Sequence, residues 1–369
     1  MKILIGGSPC THWSIAQTKN RETEASGIGW ELFLNYRIAR DKYQPDFFLY
    51  ENNKSMSPAI RAQITAELGV EPVLINSALV SAQNRQRLYW VGRRNQDGTY
   101  SQVAVEQPVD RGILLRDILE SGICWREKAY TLKANYANAG AATGLYAVPA
   151  PVEYEPLHSC DVVITDQNIR CTYKDGSGTA QGYTVTFDDM KAPSVIAGHA
   201  HKMKIIERAT GKETPVYEVR GGFITIKGKE YPIKLADGFY IIRKLTVTEC
   251  KRLQTVPDTY AFPVSDTQAY KMLGNGWTVD VIAHIMSHFT GLTEEPVEVL
   301  SVYDGMSCGH IALDKLGAEI TAYYATEIDK YAVQTTQHNF PDTVQLGDAF
   351  QVRAEDWHLP GPVEMEAEE

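Results

Sequence analysis

The order of two motifs constrains the fold of this chain more than any other feature. The segment LIGGSPC, a strand and a tight turn that end at Cys10, opens the chain. A strand, a glycine turn and a helix, VLSVYDGMSCGHIALDKLG from Val299 to Gly317, lie near its end. In an ordinary cofactor-dependent α/β enzyme the nucleotide site comes first. The order therefore predicts that a catalytic half precedes a cofactor half.

Composition limits the class of protein. A length of 369 residues with 44% hydrophobic and 22% charged residues is typical of a soluble chain with one or two cores. The start MKILIGGSPCTHW predicts no secretory signal, and no apolar stretch is long enough to span a bilayer. Six cysteines without a CxxC pair favour a reduced cytoplasmic setting and no metal site. The formal charge of -10 argues against bulk coating of nucleic acid but permits a local basic cleft.

Changes of pattern along the chain predict four regions. Residues 1–95 alternate short apolar strands (KILI, DFFLYE, VLINSAL) with helical stretches, as parallel-sheet units do. Residues 96–240 contain polar strand pairs such as CTYKDGSGTAQGYTVTF and GGFITIKGKEYPIKL, whose alternation predicts half-buried antiparallel strands. Helical patterns and a strand-helix-strand unit return over 241–350, and 351–369 form an acidic tail typical of a solvated end.

The strand-helix-strand unit predicts a nucleotide site. Asp304 and Gly305 follow its first strand, and the next helix would present backbone N–H groups near Gly309. Glu327 ends the second strand 23 residues after Asp304, close to the roughly 20-residue spacing of a ribose-binding carboxylate. A third strand end adds Asp348 as an acceptor for an adenine edge. The alternative interpretation is that these segments are ordinary turns of a doubly wound sheet that binds no ligand. The candidate cofactor residues here are Tyr303, Asp304, Gly305, Gly309, Glu327, Ile328 and Asp348.

The first 95 residues predict the chemistry. Cys10 follows a strand and a Gly-Gly-Ser-Pro turn, where backbone dipoles can activate an exposed thiol, although a lone cysteine is more often a packing residue. Glu51 ends the next strand and would emerge at the same sheet edge. Gln83, Arg85 and Arg87 alternate and would lie on one face. A nucleophile, an acid and paired guanidinium groups at one edge predict an active site.

These motifs resemble the DNA cytosine-5 methyltransferases over both halves of the chain. GGSPC resembles that family's Pro-Cys motif, YENN its Glu-Asn-Val motif and QNRQR its Gln-x-Arg-x-Arg motif. KMLGNGWTVDVIAHI is similar to its cofactor-closing segment, and YDGMSCG, ATEID and GDAF to its S-adenosylmethionine motifs, in the form of the animal de novo enzymes. Two departures are Asn53 in place of the usual valine and the order of the motifs, since the family normally begins with the cofactor motifs.

The resemblance implies a Rossmann-like α/β S-adenosylmethionine-dependent methyltransferase fold, circularly permuted, with an inserted β-rich target-recognition domain over residues 96–240. Residues 1–95 would be the catalytic half and 241–350 the cofactor half. Permutation is physically mild, because the last helix of a family member lies beside its first strand.

The resemblance also implies a mechanism on double-stranded DNA with S-adenosylmethionine as the methyl donor. Cys10 would add to cytosine C6 and Glu51 would protonate N3, with Arg85 and Arg87 at the O2 side. The target base would be flipped out of the duplex, and the polar segment 11–29 would close over it. The catalytic residues are thus Cys10, Glu51, Arg85 and Arg87; further cofactor residues are Pro9, Asn275 and Trp277; and the substrate residues are Ser8, Asn52, Gln83 and Thr131.

Two alternatives stay open at this point. An RNA cytosine-5 methyltransferase would use the same motifs, although the large β-rich segment favours duplex DNA. A catalytically silent DNA-binding relative is the other, and the presence of Cys10 and Glu51 argues against it. The sequence predicts neither the recognition site, nor a paired restriction enzyme, nor a bacterial or phage origin, nor the oligomeric state.

Overall fold

The structure is a computed structural model of the chain. It describes residues 1–9, 13, 21–120, 124, 127–134, 136, 146–147, 161–165, 168–172, 184–187, 203–206, 213–226, 229–233, 235–241 and 243–360. The helices are α1 (Gly27–Tyr43), α2 (Pro58–Leu68), α3 (Val247–Leu253), α4 (Asp266–Asn275), α5 (Val279–Met286), α6 (Cys308–Leu316) and α7 (Lys330–Asn339). The strands are β1 (Lys2–Gly6), β2 (Phe47–Asn53), β3 (Pro72–Asn76), β4 (Gln86–Arg94), β5 (Tyr100–Gln102), β6 (Tyr146–Ala147), β7 (Asp161–Thr165), β8 (Asn168–Thr172), β9 (Thr184–Phe187), β10 (Met203–Ile206), β11 (Glu213–Arg220), β12 (Phe223–Ile226), β13 (Lys229–Pro232), β14 (Gly238–Ile241), β15 (Arg243–Lys244), β16 (Val297–Val302), β17 (Ile320–Thr326) and β18 (Val344–Gly347).

A central sheet flanked by helices makes this a mixed α/β fold. Within the described ranges the sheet has eight strands in the order β18-β17-β16-β1-β2-β4-β3, with β5 paired to β4. The strands from β18 to β2 run parallel, and β16 lies directly beside β1, with Gly6 opposite Val302. Every residue of β2 is buried, as expected for a strand that is covered on both faces.

Strand β4 corrects the expectation of simple parallel units over residues 1–95. The predicted third strand is present as β3, but β4 lies between β2 and β3 and runs antiparallel to both. An antiparallel strand begins where its parallel neighbours end. The first residues of β4 therefore lie at the same edge of the sheet as the last residues of β2.

Local sequence signals explain the helix boundaries. Helix α2 begins after Ser57, whose hydroxyl accepts a hydrogen bond from the backbone N–H of Ile60 at 3.2 Å, and Pro58 occupies its first turn. It ends at Gly69, which has the left-handed conformation (φ 75°) that glycine adopts without strain. Asp329 caps the N-terminus of α7, because its side chain accepts a hydrogen bond from the backbone N–H of Tyr331. The helical stretches expected over residues 1–95 are present as α1 and α2.

The chain divides into two compact units. The first comprises Met1–Ile118, Lys128–Gly140 and Val247–Glu369, and the second Leu119–Glu127 and Ala141–Thr246. The second unit contains a six-stranded sheet with the order β13-β12-β11-β10-β9, in which β14 pairs with β11. Its apolar cluster consists of Val219, Ile224 and Ile233, with Tyr217 and Leu235 packed against it.

The alternating segments of the second unit were predicted correctly in one case and wrongly in another. FITIKG and EYPIKL pair antiparallel as β12 and β13, and Phe223 is 49% exposed where its neighbour Ile224 is 3% exposed. The segment CTYKDGSGTAQGYTVTF does not form a pair of its own. Its strands have other partners: β8 pairs with β7, and β9 pairs parallel with β10. Strand partners depend on the tertiary fold, and alternation does not encode them.

In the described part of the chain, no helix is long and apolar enough to cross a membrane. The same residues contain no group of three or more His, Cys, Asp or Glu side chains that could hold a metal ion.

Gly274 near the end of α4 is required by a close approach of two backbones. A Cβ atom at this position would lie 2.2 Å from the carbonyl carbon of Lys133 and 2.3 Å from the nitrogen of Ala134. Backbone atoms cannot move aside as a flexible side chain does. We expect Gly274→Ala to lower the free energy of unfolding by about 3 kcal/mol in denaturant titrations. Thr267→Ala, at an exposed position of the same helix, is the control, and an equal effect of both variants would contradict this packing argument.

Candidate active site

Five parallel strands end at one edge of the central sheet, which we call the carboxyl edge. Residues 7–9 follow β1 there, and Glu51 lies near the end of β2. Residues 303–308, called the glycine turn below, follow β16. Glu327 and Asp348 follow β17 and β18. The strand ends that the sequence predicted are thus brought to a common edge, as parallel pairing requires.

Glu51 is held by two donors at this edge. Its Oε1 accepts from Arg87 Nε at 2.9 Å, and its Oε2 accepts from the indole Nε1 of Trp277 at 3.0 Å. The side chains of Glu51 and Arg87 are only 12% and 16% exposed, so the ion pair is poorly screened by water. Arg87 reaches Glu51 because β4 is antiparallel and pairs Arg87 with Asn53.

Gly7 permits the close packing of the first loop against Glu51. A Cβ atom on Gly7 would lie 2.9 Å from both the backbone oxygen and Oε2 of Glu51, and 3.5 Å from Nε1 of Trp277. The backbone that leads toward Cys10 therefore passes directly beside the carboxylate. Sequence reasoning missed this role of Gly7, although the pair of glycines in GGSPC was the available signal.

Ser8 and Asn52 belong to a buried hydrogen-bond network. The Ser8 hydroxyl lies 2.6 Å from the hydroxyl of Tyr50, and Asn52 Nδ2 donates to the Ser8 carbonyl at 3.2 Å and to Tyr50 at 3.1 Å. Ser8 is 4% exposed and Asn52 1% exposed. Burial raises the pKa of Tyr50, against the opposing effect of these hydrogen bonds. The network orders the loop before Cys10, and Pro9 beyond it is exposed.

Gln83 and Arg85 precede β4, which begins at Gln86. Both are buried among protein groups. Gln83 donates to the Leu253 carbonyl at 2.7 Å and accepts from the Leu132 N–H at 3.1 Å. Burial alternates through this segment, since exposed Asn84 and Gln86 separate buried Gln83, buried Arg85 and half-buried Arg87, and the predicted shared face stays a prediction.

The guanidinium of Arg85 donates to backbone carbonyls on two segments. Its partners are the oxygens of Leu132 at 3.1 Å, Gly274 at 3.3 Å and Gly276 at 2.8 Å. Gly274 and Gly276 lie at the end of α4, where the carbonyls carry partial negative charge. Arg85 thereby fixes the connection between α4 and α5, and its predicted contact with substrate stays a prediction.

The remaining substrate candidate and one cofactor candidate lie near this region. Thr131 is half-buried, and its hydroxyl donates to the Asn84 carbonyl at 2.6 Å. Asn275 is exposed at the last position of α4. Their roles stay predictions.

The glycine turn contains three residues in the left-handed region: Tyr303 (φ 63°), Gly305 (φ 62°) and Ser307 (φ 56°). Such a conformation costs a non-glycine residue on the order of 1–3 kcal/mol, so contacts elsewhere must hold Tyr303 in place. Its hydroxyl donates to the Leu32 carbonyl at 2.8 Å and accepts from Asn35 Nδ2 at 3.1 Å. Sequence reasoning missed Asn35, which gives no local motif.

Asp304 organises the turn from within. Its Oδ1 accepts from the Tyr323 hydroxyl at 2.8 Å, and its Oδ2 accepts from the Ser307 hydroxyl. Burial raises the pKa of Asp304 to about 6, although hydrogen bonds that favour the charged form oppose the shift. Gly309 supports the same packing, because a Cβ atom there would lie 2.1 Å from Ile5 Cδ1 on β1.

Glu327 connects the glycine turn to the end of β17. Its Oε2 accepts from the Gly305 N–H at 2.9 Å, and its Oε1 accepts from the N–H groups of Ile328 at 2.7 Å and Asp329 at 2.8 Å. The neighbouring Ile328 is 76% exposed. Asp348 is exposed, with Oδ1 accepting from the Phe350 N–H at 2.9 Å. An apolar surface and two carboxylates therefore lie at adjacent strand ends.

Cys10 lies outside the described residues, as do residues 11–12 and 14–20 of the segment 11–29; Trp13 and residues 21–29 are described. The loop that leads to Cys10 is described as far as Pro9.

Comparison with known proteins agrees with the motifs. The family model described as C-5 cytosine-specific DNA methylase matches residues 1–290. Type II methyltransferase M.HhaI of Haemophilus parahaemolyticus is 34% identical over 297 residues, which cover 77% of this chain and 74% of the relative. Type II methyltransferase M.HpaII of Haemophilus parainfluenzae is 26% identical over 294 residues, 76% of this chain and 69% of the relative. The crystal structure of the S. pombe Dnmt2 methyltransferase covers 78% of this chain and 77% of its own, with 13% identity and a TM-score of 0.32.

Proposed function

Because the chain belongs to the C-5 cytosine-specific DNA methylase family, we propose that it transfers a methyl group to C5 of a cytosine in duplex DNA through a covalent adduct between Cys10 and C6. The observation that carries this proposal is the position of the Glu51 carboxylate. Arg87 and Trp277 bind it directly beside the loop that leads to Cys10. The relatives named above, which are called type II methyltransferases, favour DNA over RNA as the substrate.

Each step of the proposed reaction has a residue of suitable chemistry. The Cys10 thiolate donates an electron pair to C6, and Glu51 delivers a proton to N3, so that electron density moves to C5. Arg87 stabilises the charge that develops around the base, in a site that is largely shielded from water. Loss of the C5 proton to water, expulsion of the Cys10 thiolate and return of the N3 proton to Glu51 then give neutral 5-methylcytosine. S-adenosylmethionine, when bound, supplies the methyl group that C5 receives.

The carboxyl edge fits the proposed methyl donor. An ionised carboxylate has about four acceptor positions, and Glu327 uses three in the described contacts, which leaves capacity for a ribose hydroxyl. Exposed Ile328 offers apolar surface for an adenine, and Asp348 offers an acceptor for its amino group. Tyr303, Asp304, Gly305 and Gly309 shape the turn between them. Asn275, Trp277 and Pro9 complete the proposed cofactor set.

The chain is circularly permuted relative to the usual order of its family. Support comes from the family match, which ends at residue 290, before strands β16 to β18. Those strands nevertheless belong to the same sheet as β1, and β16 pairs with β1 along its length. The proposed division is a catalytic half (1–95), a recognition domain (96–240), a cofactor half (241–350) and an acidic tail (351–369), although the first compact unit also includes residues 96–118 and 128–140.

Recognition of DNA is assigned to the β-rich part of the chain. The target cytosine is flipped from the duplex, since C6 is inaccessible within the stack. The second compact unit supplies strands on which base-reading side chains stand, while Lys and Arg contact phosphates. Ser8, Asn52, Gln83 and Thr131 remain candidates for the substrate side, of which the first three act through the buried networks described above.

The direct test uses the whole protein with mixed-sequence duplex DNA and tritiated S-adenosylmethionine. Nucleoside analysis should find the label in 5-methylcytosine, and bisulfite sequencing should give the sequence context. An equal amount of total RNA is the parallel substrate. Label in RNA alone, or binding of DNA without transfer, would contradict the proposal.

Glu327→Ala should weaken binding of S-adenosylmethionine about tenfold or more, because hydrogen bonds to a charged group contribute roughly 1.5–3 kcal/mol. Isothermal titration calorimetry without DNA measures the effect. Glu319→Ala removes a carboxylate just before β17, at the opposite end of the strand, and serves as the matched control. Equal dissociation constants for both variants would show that the ribose site is elsewhere.

A further inference from the structure

Trp277 contacts two parts of the site at once. Its indole N–H donates to Oε2 of Glu51 at 3.0 Å, and its backbone hydrogen-bonds Cys308 in the glycine turn. The preceding Gly276 packs against the same cysteine, since a Cβ atom there would lie 3.1 Å from Cys308 Sγ. One residue therefore joins the turn proposed for the methyl donor to the proposed catalytic acid.

Hydrogen bonds to buried residues fix the backbone of Gly276, which precedes Trp277. The Gly276 carbonyl accepts from Arg85 at 2.8 Å and from Gln254 Nε2 at 3.2 Å, and the Gly276 N–H donates to the Met272 carbonyl at 2.7 Å. Arg85 is 3% exposed and Gln254 is fully buried. These contacts hold the peptide group that precedes Trp277, and the hydrogen bond to Glu51 orients its half-buried indole.

The two oxygens of Glu51 have different neighbours. Oε1 lies 2.9 Å from the Arg87 cation, and Oε2 faces the neutral indole. A proton next to a cation is unfavourable, so the carboxyl form of Glu51 carries its proton on Oε2. An oxygen that accepts the indole N–H retains a lone-pair direction for that proton.

We propose that Trp277 is a positioning residue that holds Oε2 of Glu51 in the orientation from which its proton passes to cytosine N3. The inference rests on the proposed function and deepens it. In the proton transfer, the O–H bond on Oε2 breaks as the N3–H bond forms, and the electron pair stays on the carboxylate that Arg87 and Trp277 then stabilise. A residue that only lined the donor site would have no effect on this step.

Trp277→Phe separates these two roles, because phenylalanine retains an aromatic wall but has no N–H. We expect kcat at saturating DNA and S-adenosylmethionine to fall roughly tenfold, while the dissociation constant of S-adenosylmethionine changes less than threefold. In a Glu51→Ala background the same substitution should have no further effect on kcat. Trp357→Phe, a half-buried tryptophan near the end of the described chain, is the control and should retain wild-type kinetics.

An NMR measurement tests the contact without activity. The six tryptophans give up to six indole N–H signals, and the signal absent from Trp277→Phe belongs to Trp277. Glu51→Ala should move that signal upfield, and the indole signal of Trp90, which donates to Thr65, should stay in place.

The outcomes distinguish the inference from the proposed function. A Trp277→Phe variant with normal kcat and weaker binding of S-adenosylmethionine would overturn the positioning role alone. The same holds if the chemical shift of the Trp277 indole N–H is unchanged by Glu51→Ala. A wild-type protein that transfers no methyl group to DNA would overturn the proposed function and the catalytic use of Trp277 together, even with the indole shift intact.

Discussion

Cys10→Ala is expected to reduce methyl transfer by at least about four orders of magnitude, because without the thiolate no adduct at C6 activates C5. Binding of S-adenosylmethionine should change less than twofold, since most of the proposed donor contacts follow β16, β17 and β18 and none is the Cys10 side chain. Single-turnover transfer of tritium to DNA measures the first effect, and calorimetry the second.

A trapping experiment makes the test of Cys10 specific. Duplex DNA with 5-fluorocytosine at the target should hold the wild-type enzyme in a denaturation-resistant complex, because fluorine cannot leave as a proton does. Cys10→Ala should form no such complex. Cys124→Ala, at a half-buried cysteine of the second unit, is the control and should trap normally. Transfer by Cys10→Ala near the wild-type rate would contradict the covalent mechanism.

Glu51→Gln should lower kcat by roughly 10²- to 10⁴-fold, the range over which general acid catalysis contributes. Glutamine has the same shape but delivers no proton to N3. Its amide also places an NH₂ group toward either Arg87 or Trp277, both of which are donors, so the hydrogen bonds at 2.9 and 3.0 Å cannot both survive.

Steady-state kinetics at saturating DNA and donor measure this effect, together with thermal unfolding to verify the fold. Glu67→Gln removes a charge from α2, where Glu67 pairs with Arg37 at 3.4 Å, and should leave kcat unchanged. If Glu51→Gln retained kcat within a factor of about three, Glu51 would not be the acid.

Local patterns in the sequence were enough for the family and for most strand ends. Apolar runs such as KILI and FFLYE predict buried strands, and the first polar residue after each run predicts what emerges at the edge. Glu51 and Glu327 were located in this way, because β2 is buried throughout and β17 is buried over its last four residues. Asp348 was located by the same rule, although β18 is only half-buried. The family match over residues 1–290 confirms the recognition that the combined motifs allowed.

The contacts that make the site depend on residues far apart in the chain. Arg87 reaches Glu51 because β4 inserts antiparallel between β2 and β3, whereas Gln83 and Arg85 precede that strand and bond to distant backbone groups. Trp277 lies 226 residues from the carboxylate it binds. Neither strand pairing nor burial of a polar side chain has a local signature. Both are chosen by the free energy of the whole packed sheet, so only the tertiary structure decides which side chains meet at Glu51.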